Sequence, residues 1–194
     1  MIIGICGLIG SGKGTVADML EQEHSFVKVS FADSLKDVVA AVFRWPRELL
    51  EGDTEESRAW REQVDTWWAN KLKMPNLTPR WILQQWGTEV CRVGFHDDIW
   101  IASIERKLDS NINYVIPDTR FPNEIDLIKK LGGQVWHVQR GPRPAWFDKY
   151  RLGGSPPKDV HASEWAWVRA QFDQTISNDS TLDQLKDTVR GLIS

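Results

Sequence analysis

Residues 2–15 read IIGICGLIGSGKGT, and this stretch constrains the fold more than any other. Ile2 to Cys6 is a short, mostly β-branched run that ends at Gly7, the pattern of a strand buried on both faces. Glycines follow at positions 10, 12 and 14, and then a helix is expected over Lys13 to Gln22 with Val16, Met19 and Leu20 on one side. A buried strand that turns through glycines into a helix points backbone N–H groups into a cavity at the positive end of the helix dipole. The spacing is nearly that of a phosphate-binding loop, G-x-x-x-x-G-K-[ST]. Gly7, Gly12 and Lys13 fit it; Gly14 stands where the hydroxyl belongs, and the hydroxyl arrives one residue late, at Thr15. The plainer alternative is a glycine turn with an exposed lysine, and the strand–loop–helix context favours phosphate.

The rest of the chain repeats the alternation. Phe26 to Phe31 reads as a second strand, followed by a helix capped by Asp33 or Ser34 with Leu35, Val38, Val39 and Val42 at helical spacing. Trp45-Pro46 ends it. The polar, tryptophan-bearing stretch 47–76 is expected to be partly helical and outside the core. Thr78-Pro79 starts a helix carrying Ile82, Leu83, Trp86, Val90 and Val93. Asp97 or Asp98 opens another through Ile101, Ile104 and Leu108. Tyr114 to Pro117 is a third strand; Asn123 is a candidate cap for a helix with Ile125, Ile128 and Leu131 inward, ended by Gly132-Gly133. Gln134 to Val138 and Gln174 to Ser177 complete about five strands, and Ser180 with Asp183 caps a last helix. Strands separated by helices predict an α/β fold with a parallel sheet and right-handed crossovers. We expect one domain with excursions at about 44–78 and 141–162, the second a mobile, lid-like loop rich in Pro, Gly and cations.

Composition removes whole classes of function. A net charge of −3 over 194 residues gives no general attraction to nucleic acid or membrane. The apolar start lacks a basic flank and runs straight into the glycine loop, so it does not read as a signal peptide, and no apolar run spans a membrane. Cys6 and Cys91 are too far apart for a ligand pair and suggest a reducing compartment. The 11 tryptophans, mostly between Trp45 and Trp100, are expected to pack, a base-stacking surface being the alternative.

The displaced hydroxyl carries information of its own. With Gly14 in place, the loop offers magnesium no side-chain ligand at the usual position. The ion would be held by nucleotide oxygens and water, with Asp118 as an outer-shell candidate. The GxGKGT run resembles the loop of nucleoside monophosphate kinases more than that of motor or switch NTPases.

Further blocks sharpen this. Phe31-Ala32-Asp33-Ser34-Leu35-Lys36-Asp37, Arg80-x3-Gln84-x2-Gly87-Thr88-Glu89, Trp100, Asp118-Thr119-Arg120 with Glu124, His137-Val138-x-Arg140, His161-x2-Glu164 and Ser177-Asn178-Asp179 follow in order along nearly the whole chain. Together they resemble the phage-type deoxynucleoside monophosphate kinase family. The resemblance implies a three-layer P-loop NTPase fold of the nucleoside-monophosphate-kinase kind, and transfer of the γ-phosphate of ATP to a deoxynucleoside 5′-monophosphate with Mg2+. It implies ATP phosphates on Gly10, Ser11, Gly12, Lys13, Gly14 and Thr15, and substrate contacts at Lys36, Arg80, Gly87, Thr88, Trp100, Asp118 and Arg120. Lys13, Arg80 and Arg120 would be catalytic. It further implies a cytoplasmic enzyme, with small nucleotides as partners and a homodimer left open. Ile9-Gly10 lacks the basic residues that some relatives carry in this loop, so another cation, from 141–162, would supply that charge.

The chemistry agrees independently. Two groups of phosphates must be brought together, and phosphoryl transfer is mostly positioning and charge neutralisation. Lys13, Lys36, Arg80, Arg120, Arg140, Arg143, Lys149 and Arg151 supply cations despite the net negative charge. A monophosphate is already an anionic nucleophile, in keeping with the lack of an evident His–Asp or Ser–His pair. Several residues keep a second reading. Trp100 and Lys36 suit core and solvent as well as a site, His161 and Glu164 suit a helix cap or the loop, and Asn178-Asp179 suits a turn or the adenine pocket. A kinase of another small acceptor such as dephospho-coenzyme A, an ATPase switch and a single-stranded nucleic-acid binder are the competing functions. The acidic balance and Gly14 weigh against the last two.

Overall fold

Ile2–Cys6 forms β1, and the chain then alternates as expected: α1 (Lys13–His24), β2 (Phe26–Lys28) and α2 (Asp33–Phe43). After a 3-10 turn at Glu48–Leu50 come α3 (Glu55–Arg61), α4 (Thr66–Leu72), α5 (Pro79–Gln84), which runs on as a π-helix over Gln85–Val93, and α6 (Ile99–Glu105). The remainder is β3 (Asn113–Ile116), α7 (Pro122–Lys130), β4 (Gln134–Gln139), α8 (Ala145–Arg151), α9 (Ala162–Trp165), β5 (Gln174–Ser177) and α10 (Leu182–Ile193). The structure is a computed structural model that describes residues 1–193. The backbone divides into two compact units, one of Met1–Ser30 with Lys107–Ser194 and one of Phe31–Arg106.

The first unit holds the sheet. Among the described residues its five strands run in the order β2-β3-β1-β4-β5, every neighbouring pair parallel. Gly4 pairs with Ile116 on one side and Val135 on the other, so β1 is central. The strand's alternation sets the layers. Ile3 and Ile5, fully buried, join Val16 and Leu20 of α1 and Leu185 and Val189 of α10 in one core. Gly4 points the other way, where a Cβ would come within 2.3 Å of Ile128 Cδ1, so its lack of a side chain lets α7 lie close on that face. This is the three-layer P-loop NTPase arrangement, helices on both faces of a parallel sheet.

The caps differ in register from the sequence reading. The turn into α7 is closed by Glu124, whose Oε2 accepts from the backbone N–H groups of Arg120 at 2.7 Å and Phe121 at 3.1 Å, with Pro122 opening the helix in place of an Asn123 cap. Leu131, expected inside, is 41% exposed because it stands past the last turn. At α10 the reciprocal cap is Thr181 with Gln184, one residue beyond the expected Ser180. The segment 141–162 carries α8, anchored by the fully buried Phe147 and by Tyr150.

The second unit has its own core of Leu35, Val39, Phe43, Trp45, Leu50, Ala69, Leu77, Ile82 and Trp100. Leu50 and Ala69 correct the expectation that 47–76 lies outside a core: both are buried in it, and Trp60, Trp68 and Met74 of the same stretch pack against it. Phe43 is the hub, stacked on Trp45 at 4.5 Å and edge-on to Trp68 at 4.9 Å and Trp86 at 5.3 Å. These indoles satisfy their N–H groups: Trp45 donates to Asp65 Oδ2 at 2.7 Å, the partly buried Trp68 to Phe43 O at 3.0 Å and Trp100 to Gly87 O at 2.8 Å. Two helix faces are rotated from the expected ones. In α2 the buried set is Leu35, Lys36, Val39 and Phe43, which leaves Val38 and Val42 nearly half exposed. Beyond α5 the wider π turn shifts the phase. Arg92 is therefore buried while Val93 is 74% exposed.

Candidate active site

In the first unit, β1 and β3 are neighbours whose outgoing connections run to opposite sides, toward β2 and toward β4. In an open parallel sheet the crevice beyond such a pair of strand ends is where ligands bind. The glycine loop leaves the end of β1, and Asp118-Thr119-Arg120 leaves the end of β3.

The loop is built by positive φ angles and close approach. Gly10 and Gly12 have φ of 77° and 98°. A Cβ on Gly12 would lie 2.2 Å from Asn178 Nδ2, which donates to Ser11 O at 2.9 Å. Asn178 thus buttresses the loop from the end of β5. Asp179 beside it accepts from Gly141 N at 2.6 Å and Ser177 Oγ at 2.9 Å, a turn that fixes the start of the 141–162 segment. Nothing lies within 4 Å of where a Cβ on Gly10 or Gly14 would stand. The Ser11 hydroxyl is buried and bonds to none of the described residues. An open, glycine-walled cradle at the N-terminus of α1 fits a polyphosphate. Gly14 and Thr15 are exposed at its rim.

Lys13 folds back over the cradle, its Nζ donating to Gly7 O at 2.8 Å and Leu8 O at 2.9 Å. Burial, and after it the Arg120 guanidinium, lower its pKa from 10.5 to about 8 against the raising fields of Glu164, Cys6 and Asp118. Lys13, Arg120, Glu164 and Asp118 therefore share one electrostatic neighbourhood. Asp118 Oδ2 accepts from Ser30 Oγ at 2.6 Å. Thr119 is fully buried and donates to Ile116 O at 3.1 Å, which locks the turn between Asp118 and Arg120. Arg120 Nη1 donates to Glu164 Oε1 at 2.8 Å and to Ser163 Oγ at 3.4 Å. His161 caps α9 by accepting from Ser163 N at 3.3 Å, and its Nδ1 is 2.9 Å from Ser163 Oγ. The cap reading of His161 therefore holds, and Glu164 has a partner that sequence order did not reveal.

Asp118 follows the end of β3 and brings a carboxylate to this crevice. Among the described residues no group of three or more His, Cys, Asp or Glu is placed to hold a metal. Magnesium held here would keep water and phosphate oxygens in most of its positions, which suits its reluctance to dehydrate.

His137, within β4, is 3% exposed among the rings of Phe147, Trp167 and Phe172. Burial pulls its pKa down to about 4, with Arg143, Arg151 and Lys13 adding to the shift, so it is a neutral core residue at physiological pH. Of the cations in 140–151, Arg143 is engaged locally, by Gln139 Oε1 at 2.8 Å and Asp148 Oδ1 at 3.2 Å; Arg140, Lys149 and Arg151 are exposed.

The other expected residues belong to the second unit. Lys36 is only 8% exposed and donates to Glu51 Oε2 at 2.6 Å. Arg47, which the sequence reading passed over, binds Glu51 as well and Asp37 Oδ1 at 2.6 Å. The two cations hold the Glu51 carboxyl below its usual range against the opposing effect of burial. Arg80, at the start of α5, pairs with Glu62 at 2.9 Å on a partly open surface. Gly87 and Trp100 are buried and bonded to one another, and a Cβ on Gly87 would press on Leu35 Cδ2 at 2.8 Å. Thr88 follows Gly87 in the π-helix, half-buried. No helix among the described residues is long and apolar enough to cross a membrane.

Comparison with known proteins gives this geometry a lineage. Residues 51–189 match the family model for deoxynucleotide monophosphate kinase. A relative from Acanthamoeba polyphaga mimivirus that bears the same kinase name is 30% identical over 95% of this chain and 91% of its own length. The deoxynucleotide monophosphate kinase of Enterobacteria phage T4 is 23% identical over 99% of this chain and 98% of its own. An adenylate kinase of Anaeromyxobacter sp. (strain K) is 24% identical over 73% of this chain and 67% of its own.

Proposed function

The chain belongs to the deoxynucleotide monophosphate kinase family, and we propose that it transfers the γ-phosphoryl group of ATP to a deoxynucleoside 5′-monophosphate, releasing ADP and the deoxynucleoside diphosphate. It is a nucleotide phosphotransferase; the acceptor and the residue roles are our reading. The observation that carries it is the placement of Lys13 and Arg120 just beyond the ends of adjacent strands β1 and β3, close enough that the Arg120 guanidinium lowers the Lys13 pKa.

Backbone N–H groups of Gly10 to Thr15 bind the donor's phosphates, and the Ser11 hydroxyl has a donor to spare for them. Lys13 releases the carbonyls of Gly7 and Leu8 and turns its ammonium to the phosphate oxygens, an exchange of neutral acceptors for anionic ones. Arg120 gathers charge on the transferring group. As the bond from the γ-phosphorus to the bridging oxygen of ADP breaks, ADP keeps the electron pair, and an oxygen of the acceptor's phosphate forms the new bond. The acceptor oxygen is already anionic, so no side chain has to remove a proton. When bound, magnesium supplies charge neutralisation on the phosphate oxygens, with Asp118 placed to hold its water. We assign acceptor recognition to Lys36, Arg80 and Thr88, with Gly87 and Trp100 shaping the helix that presents Thr88.

The test is a coupled ADP-release assay with MgATP, first without acceptor and then with each dNMP and NMP. ADP release that appears only with a dNMP, together with formation of the matching dNDP, is the expected result. Release that ignores the acceptor refutes it.

A further inference from the structure

Arg120 is fastened at one corner. Its Nη1 is bound by Glu164 and Ser163, and its backbone N–H by Glu124, whereas Nε and Nη2 bond to none of the described residues. A guanidinium presents its paired donors along such an edge, and the geometry matches two phosphoryl oxygens. Glu164 is the less exposed partner, its side chain 19% open against 38% for Arg120. It sits in a short helix that His161 and Ser163 cap. A carboxylate that held the Nε–Nη2 edge would compete with an anion; one that holds only Nη1 orients the guanidinium plane and leaves the edge open.

Resting on the kinase reading above, we propose that Glu164 is a positioning residue. Through Nη1 it holds Arg120 beside Lys13 with the Nε–Nη2 edge turned out to receive a phosphoryl group, and the His161–Ser163 cap fixes Glu164 in turn. Glu164 need not let go when the anion arrives, since the two sides of the guanidinium serve different partners. Its negative charge also offsets the repulsion between Lys13 and Arg120, as its raising effect on Lys13 indicates. A loose Arg120 still binds anions but reaches the transferring group in fewer of its conformers, so the loss appears in turnover.

The experiment is a double-mutant cycle on the full chain: wild type, Glu164→Ala, Arg120→Ala and the pair, with Glu164→Gln as the conservative variant. The expected result is a fall in kcat of about 10- to 100-fold for Glu164→Ala, with KM for ATP within about threefold of wild type. Glu164→Gln, which still accepts from Nη1, recovers most of that loss. In the Arg120→Ala background Glu164→Ala has little further effect, because the residue it positions is gone. A fall of similar size in both backgrounds assigns Glu164 to the folding of its helix and overturns the proposal, as does unchanged turnover in Glu164→Ala. A readout without turnover separates this from the kinase reading. The guanidinium N–H resonances of Arg120, assigned by Arg120→Lys, are expected to show hindered rotation in wild type and averaged signals in Glu164→Ala. Averaged signals already in wild type refute the positioning. Hindered rotation lost in Glu164→Ala, in a protein that transfers phosphate to no dNMP, keeps the contact and discards the reaction.

Discussion

Replacing Lys13 by Met tests the electrostatics of the cradle. The structure places the ammonium where burial and Arg120 lower its pKa from 10.5 to about 8. A lysine whose folded pKa is lowered binds fewer protons folded than unfolded, so between those two values stability rises with pH, and below the lower one the full cost of the buried charge is present. The whole shift corresponds to about 3 kcal/mol. Between pH 7.5 and 9.5 the wild-type protein should therefore gain about 2 kcal/mol relative to Lys13→Met. Met keeps the length of the stem and does not titrate, so every other ionisation cancels in the difference. Urea unfolding of both proteins at the two pH values gives the quantity directly, and the variant should also lose phosphotransfer by about 100-fold or more. A wild-type-minus-variant difference that stays constant across that range means Lys13 is as well solvated as a surface lysine, and the folded-back geometry over Gly7 and Leu8 is then wrong.

Three further outcomes are expected. Arg120→Ala should weaken transfer to the monophosphate by about 100-fold while ATP binding, measured by calorimetry, changes little; equal loss of both places Arg120 on the donor instead. His137, held neutral with its pKa lowered to about 4, loses its stabilising preference as pH falls from 6.5 through that value. Wild type should therefore lose about 2 to 3 kcal/mol between pH 7 and 4.5 that His137→Phe does not, read from paired denaturant curves. Gly12→Ala should cost about 1 to 3 kcal/mol in thermal and urea unfolding, because a Cβ at φ 98° meets Asn178 Nδ2 at 2.2 Å; unchanged stability would show that Asn178 moves freely and does not brace the loop.

The strand–glycine–helix unit was legible because its causes are local. β-branched residues favour a buried strand, glycines admit positive φ, and the helix that follows carries an apolar stripe, all within some twenty neighbouring residues. The five parallel strands, the start of α5 at Thr78-Pro79 and the placement of Asp118 and Arg120 at a strand end were readable for the same reason. Features that depend on partners far along the chain were not. The core of the second unit draws Leu50 and Ala69 from a stretch too polar to announce a buried face. The π turn that turns Val93 outward and Arg92 inward leaves no mark in a helical period.

The candidate site divides in the same way. The sequence by itself marked the loop and the lysine to which we assign the phosphate chemistry, since a glycine turn between a buried strand and a helix has local causes. Only the tertiary structure decided what surrounds them. Asn178 braces Ser11 across 167 positions and Glu164 binds Arg120 across 44. Arg47 joins Lys36 on Glu51 where no motif marks it. Such pairs are set by sheet order and packing, and a carboxylate far off in sequence gives no local sign of the cation it will meet.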